Sequence, residues 1–574
     1  MRKLLVSAVV AALLLAAVGP LAAWAEDAKD VKILAAVSIG GVDRILADVG
    51  VLSEMAGKKD AGKMVEVMLK LFTQGKGLVG LDRERPWGVL IGTDGHEVGG
   101  CAFVPVTDLK KLMVLAGKLS KDKIKVLDDG VYEIDGRHKK VYVQETHKGW
   151  AFIVDDPGIF EYVPADPAAE MAGLDQKYDV AVRLFPGNIP AKHRKKILAE
   201  MRKHAERQMA RHEARGKHDD EHLQAIRKII GRKMLQDWQQ VAHDVEEITL
   251  GWTLDEDAAN GALEASMIAR KGSPTAKFLA GADKVRTAFG GLQLPDAVFS
   301  ARCSGAHPPL NDKDLDAVID AMRARAYAKV ECKAESSEEK KVGRQIVDGF
   351  LDVFKSTAAT GKIDAAVSLR LDKDAVTYVA GRYVADGPKL EATINDLVAA
   401  VRKKHPKCVG KAVKLGTKKV RDVNFHVASF PIPEKCPRHD DMVEAVGKRF
   451  TLVLGIGDEA VYVAAGRDAA KTLKKAIGAS KKAGRSPVPP ASFTLDLGKL
   501  AELATHCPKE KVSATAEKVL EIFKAAKGND QIRGELLPIK RGLKYRLELD
   551  EGLLRLMATA HHHHRHYHQH HKDK

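Results

Sequence analysis

Beyond its first 25 residues the chain has no apolar run long enough to cross a bilayer, which excludes a helical span in the remainder. No cysteine stands near residue 25, so the route that acylates a cysteine at a new N-terminus is closed. None of the six cysteines forms a Cys-x-x-Cys pair, which argues against a dithiol redox site and a zinc ribbon. No glycine-rich dinucleotide turn follows a strand-like run, and there is no Gly-x-Ser-x-Gly elbow. What remains is a globular composition, 45% hydrophobic and 30% charged.

The opening residues read as an export signal. Met1-Arg2-Lys3 is cationic, Leu4 to Val18 is apolar, Gly19-Pro20 breaks a helix, and Ala23-Trp24-Ala25 offers the small-x-small pattern read by signal peptidase. Cleavage is expected after Ala25, giving a soluble periplasmic or secreted product with no supply of nucleotide. The formal charge of +16 makes anionic envelope polymers, or another envelope protein, the candidate partners. An oxidising compartment permits disulfides, with Cys303–Cys332 and Cys408–Cys436 as the local pairs. Cys101 lies in an apolar run and reads as a small buried hydrophobe.

The chain repeats its own element order. Ile33–Ile39 reads as a strand feeding the amphipathic stretch Val42 to Met55, and Met64, Val65, Met68, Leu71 and Phe72 mark a second helix. Gly88–Thr93 turns at Asp94-Gly95, a type I′ signal, and returns through Val98 to Val106, after which Asp108 caps a helix. Ala297–Ala301, the helix Leu315–Ala326, the helical face from Val342 to Phe354, the hairpin Asp364–Leu371/Ala375–Val384 and the helix Leu390–Val401 replay this order. Trp150–Val154 and Asp179–Leu184 have counterparts in Ala460–Ala464 and Ser492–Leu497. Each half closes with a hairpin, Ile248 to Ile268 and Ile532 to Leu549.

The expected fold is α+β: two tandem pseudo-repeats of antiparallel sheet with packed helices, plus a long charged helical hairpin and a disordered His-rich tail. The expected boundaries are a signal peptide at 1–25, a first repeat at 26–290 with the helical arm 190–245, a second repeat at 291–558 and the tail at 559–574. Superposing residues 31–270 on 296–556 should align the strands. The arm is either a projecting partner-contacting hairpin or a solvated helix pair lying along the body.

The segments Ala102–Leu109, Asp179–Arg183 and Ile248–Trp252 resemble those of a group of large, uncharacterised, signal-peptide-bearing bacterial proteins. The resemblance implies an exported α+β protein and carries over no catalytic residues.

Most motifs dissolve on inspection. Gly57 to Met64 has P-loop spacing, but Met64 replaces the magnesium-binding hydroxyl and helix precedes it where a strand is required. His218-Asp219-Asp220-Glu221-His222 has the order of a zinc-peptidase helix without apolar surroundings, leaving His218 and His222 as a weak metal pair. Asp255-Glu256-Asp257 reads as a hairpin turn, since Ser266 stands where a calcium loop needs a bidentate carboxylate. The tail differs: His561, His562, His563, His564, His566, His568, His570 and His571 form a flexible set of imidazoles suited to zinc, nickel or copper. These features point to an exported, non-catalytic binding or scaffold protein that requires no cofactor. A transition-metal binder acting through the tail is one alternative, and a hydrolase whose site is assembled from distant residues is another.

Overall fold

Short runs of alternating apolar residues, separated by turns, pair with their neighbours as antiparallel hairpins along the chain. The computed structural model describes residues 31–559 except most of 56–76, and 96–97, 120–122, 137–139, 216–219, 373–374, 436–438, 485 and 507–508. The first half supplies β1 (Lys32–Ile39), β2 (Trp87–Thr93), β3 (Val98–Pro105), β4 (Ile124–Val126), β5 (Tyr132–Asp135), β6 (Lys140–His147), β7 (Trp150–Val154), β8 (Val180–Leu184), β9 (Val245–Asp255) and β10 (Asn260–Ala269). The second supplies β11 (Phe299–Ala306), β12 (Lys362–Asp372), β13 (Ala375–Tyr383), β14 (Val413–Val420), β15 (Val423–Pro431), β16 (Arg449–Gly457), β17 (Ala460–Gly466), β18 (Ala491–Asp496), β19 (Gln531–Ile539) and β20 (Gly542–Leu549).

All twenty strands join one antiparallel sheet. From one edge the order is β4-β5-β6-β7-β3-β2-β1-β8-β9-β10. From the other it is β14-β15-β16-β17-β13-β12-β11-β18-β19-β20. The two series have the same spatial order and meet where β10 pairs with β20, Gly261 facing Leu549 and Ile268 facing Gly542. Their registers also correspond. Phe103 faces Gly88 and Phe152, and Gly381 faces Ala366 and Tyr462. Five residues beyond Phe103 and Gly381, Asp108 and Asp386 each accept a backbone N–H three residues on, at 2.9 Å.

The longer helices are α1 (Val42–Met55), α2 (Leu109–Leu119), α3 (Ala191–Arg215), α4 (Glu221–Asp244), α5 (Asp312–Lys333), α6 (Ser337–Ala359), α7 (Gly387–Lys404), α8 (Ala469–Ala483), α9 (Leu497–Thr505) and α10 (Glu510–Ala525). Side chains that face one another in register share a face of the sheet, which defines a front and a back. On the front, Phe103, Phe152, Met171 and Leu174 form the core of the first half, while Phe289, Leu292, Val453 and Leu473 form that of the second. On the back, α2 covers Val89, Ala102 and Ile153 through Leu109 and Met113, and α6 and α7 pack together through Val353 and Leu390 over Val384. The sheet is thus helix-covered on its wings and barer at its centre.

The arm is the pair α3–α4, and it does not stand clear of the body. α4 lies along α5 of the second half, tied by Arg325 to Asp220 at 2.5 Å and Arg232 to Asp314 at 3.4 Å. Ile230, Met234 and Trp238 remain exposed at helical spacing on α4. Its last residue, Asp244, is buried and accepts from Gln240 and from both the N–H and the hydroxyl of Thr275. Burial opposes its charge, but these bonds prevail and hold the carboxyl down at about 2.

Three local expectations are corrected. The Asp94-Gly95 turn is not type I′: Thr93 faces Val98 across a four-residue loop, and of the two only Gly95 is left-handed, at φ 100°. Cys303 and Cys332 are free. One stands on β11 and the other near the far end of α5, about 30 Å along a helix of that length, well beyond disulfide reach. The strand read as Ala297–Ala301 begins at Phe299 and continues to Ala306. Cys101 is buried, while Cys436, Cys507 and the Cys408 side chain lie outside the described residues.

One partly buried acid makes stability pH-dependent. Asp179 accepts the Leu254 N–H at 2.6 Å and forms an ion pair with the Arg44 guanidinium at 2.6 Å. Burial, with Asp179 and Glu256 nearby, pushes Asp48 of α1 up to about 7 against the opposing pull of Arg44. The native state therefore binds this proton more tightly than the unfolded chain, and Asp48 destabilises the fold as pH rises from about 4 through 7. Asp48→Asn is expected to stabilise by about 1–2 kcal/mol at pH 8 and to be neutral near pH 4, measured by thermal unfolding at both. Equal effects at the two values would rule this out.

Candidate binding site at the sheet seam

Where β10 meets β20 the front face turns polar. Across the centre the register runs Ser38, Ala181, Gly251, Glu264, Arg546, Glu535, Ser492, Arg302, each facing the next. The alternate residues on the back are apolar along the same strands: Val182, Leu250, Ala265, Tyr545, Leu536, Ala491 and Cys303. Period-two alternation therefore sends opposite chemistries to the two faces of the seam.

Glu264 is the hub. It is 2% exposed, and its carboxylate accepts from Lys177 at 2.5 Å, Tyr178 at 2.7 Å, Lys544 at 3.0 Å and Arg546 at 3.1 Å. Two of these donors belong to each half. Burial alone would raise its pKa, but the bonds from Lys177, Tyr178 and Lys544 outweigh burial and hold it at about 2. The Tyr178 ring lies flush on Gly251, where a Cβ would come within 2.4 Å of it.

Beside the hub, on the second half's side, is a cavity of about 230 Å³. Its charged lining is Arg302, Arg533, Arg546, Glu535 and Glu548. Arg533 is held by Asp550 at 2.6 Å and Glu548 at 3.3 Å, and Arg546 by Glu548 at 2.7 Å and by Glu264. Arg302 is different. It is 9% exposed, its side chain makes no hydrogen bond or ion pair with any described residue, and its Nε has no acceptor. Burial lowers its pKa, against the charges of Glu535 and Asp364. Asp364 is otherwise engaged, accepting from Thr287, Ser304 and the Ala288 N–H. Ser492 stands in register between Arg302 and Glu535, with the Gln293 amide 3.5 Å from its hydroxyl. No histidine or cysteine lines this cavity.

The residues expected to bind metal are not part of it. His561 to His571 and His218 lie outside the described residues. His222 is on the first turn of α4, its nearest acid being its neighbour Glu221 at 3.9 Å. Among the described residues no cluster of three or more His, Cys, Asp or Glu side chains is placed to hold a metal ion, and no helix is long and apolar enough to cross a membrane. Lys58 to Lys63 also lie outside the described residues, and Asp255 caps the β9–β10 turn through the Ala258 N–H.

Comparison with protein-family models, curated proteins and solved structures gave no match. Sequence reading missed Arg302, Glu535 and Glu264. The available signal was a lone charge on one face of an otherwise small or apolar strand, as in Asn260-Gly-Ala-Leu-Glu-Ala-Ser.

Proposed function

We propose that the protein is an exported, non-catalytic binding protein of the cell envelope, with the seam cavity as its site for anionic groups of an envelope polymer. The observation that carries this is Arg302, a buried guanidinium without a partner among the described residues. Burying an unpaired charge is costly, and an anionic ligand would relieve that cost. In support of binding over hydrolysis, Glu548 is tied to two arginines, and the group within hydrogen-bond reach of the Ser492 hydroxyl is the Gln293 amide, not a histidine. Release from residues 1–25, with Glu26 as the first mature residue, belongs to the same reading. So does descent of the two halves from one duplicated unit, which the matching strand orders and registers support.

The chain lacking residues 1–25 is expected to be retained on immobilised polygalacturonate and not on neutral dextran. Retention should fall in high salt, and Arg302→Met should weaken it about tenfold. Equal retention on both matrices would overturn the proposal. A second reading rests on the eight imidazoles between His561 and His571, which we propose collect divalent transition metal independently of the seam.

A further inference from the structure

We propose that the seam cavity is a receptor for a small carboxylate that also carries hydrogen-bond donors, namely a sugar-acid or amino-acid unit. This rests on the anion-binding reading above and adds the ligand's class. The cavity holds two charges of opposite sign without an ion-pair partner among the described residues, the buried Arg302 and the exposed Glu535. Arg302 offers a planar fork matched to a carboxylate. The side chain of Glu535, two strands away on the same face, makes no hydrogen bond or ion pair with a described residue. An ionised carboxylate is acceptor-only, so a ligand group seated against it in place of water has to be a donor, a hydroxyl or an ammonium. Ser492 lies between them and adds a hydroxyl able to donate or accept. Arg533 and Arg546 are already neutralised by Asp550, Glu548 and Glu264, which leaves Arg302 as the available anion-binding group. A doubly charged phosphate or sulfate would meet the carboxylate of Glu535 in the same cavity and be repelled more strongly than a singly charged carboxylate.

The other half indicates that the opening is specific to this position. The register-equivalent row there is Ser38, Ala181, Gly251, and the Tyr178 ring fills the space over Gly251. In the second half Arg302, Ser492 and Glu535 replace those small residues, and a cavity of about 230 Å³ stays open, the size of one such unit.

Calorimetric titration of the chain lacking residues 1–25 with glucuronate, alanine and inorganic phosphate tests this. Glucuronate or alanine is expected to bind, and which of them does so separates the two sources of the carboxylate; phosphate is expected not to. Arg302→Met and Glu535→Gln should each weaken binding about tenfold. Thermal midpoints should not fall in either variant, since one removes an unpaired buried charge and the other alters an exposed side chain. Should Arg302→Met fail to fold, Arg302→Lys keeps the charge, loses the fork, and should still weaken the carboxylate. Phosphate binding more tightly than either carboxylate, and strengthened by Glu535→Gln, would overturn the ligand class while leaving the anion-binding reading intact. No binding of any of the three, with polygalacturonate retention indifferent to Arg302→Met, would overturn both.

Discussion

Replacing Glu264 by Gln is expected to destabilise the protein by about 3–5 kcal/mol at pH 7, because it removes the negative charge and one of two acceptor oxygens from a buried, fully bonded charge cluster. The carboxylate is 2% exposed and takes four donors, two on the first half and two on β20. A neutral amide cannot balance Lys177, Lys544 and Arg546 together. Lys177 is half exposed and can rehydrate, which places the effect toward the lower end of that range. The pH dependence follows from the carboxyl being held at about 2, below its unfolded value. Its contribution is present in full above about pH 5 and is lost as pH falls through about 2. Urea unfolding at pH 7 and pH 2.5 should therefore give a large difference between wild type and variant at the first and a much smaller one at the second. A difference below about 1 kcal/mol at pH 7 would mean that the β10–β20 pairing holds the halves together without this cluster.

The same region marks where sequence reading stopped. Hairpins such as β2–β3 and β12–β13 were legible because apolar alternation is bounded by short polar turns and the partners are adjacent in the chain. The α+β class with antiparallel pairing followed from those hairpins. The outer strands β4 to β6 and β14 to β16 were not legible. β14, for example, carries Lys414, Lys418 and Lys419 and is largely exposed, so no inward-facing alternation announces it. The helices α5 and α6 run several residues past the expected stretches, because their charged ends pack by ion pairs such as Lys340–Glu331 and Arg344–Glu331 instead of by apolar contact.

The site lay beyond reach for a different reason. Glu264 and Arg546 are separated by nearly 300 positions, and local pattern does not say that β10 and β20 will pair. Arg302 fell one residue past the expected end of its strand, so its face was never assigned. The cysteine spacing was legible but misleading, since a helix intervenes between Cys303 and Cys332.

Truncation after Ala560 is expected to remove most nickel and zinc binding while shifting the thermal midpoint by no more than about 1 °C. Leu553 and Leu554 are buried, and the final hydrogen bonds of the described body run from Thr559 to the Arg555 and Leu556 carbonyls. The described core is complete before the histidines begin, so deleting residues 561–574 is expected to leave it intact. Eight imidazoles in eleven residues supply neutral nitrogen ligands above their ordinary pKa of ~6.5, without any preformed cage. Zinc uptake should accordingly fall between pH 7.5 and pH 5.5 as the rings take up protons, with half-loss near or below the ordinary pKa. Titration of the full-length mature chain and the truncated one with zinc distinguishes the outcomes. Equal uptake by the truncated form would reject the tail as the ligand set and move attention to His222 and its neighbour His218. Loss of uptake together with a lower thermal midpoint would instead mean that the tail packs against the body.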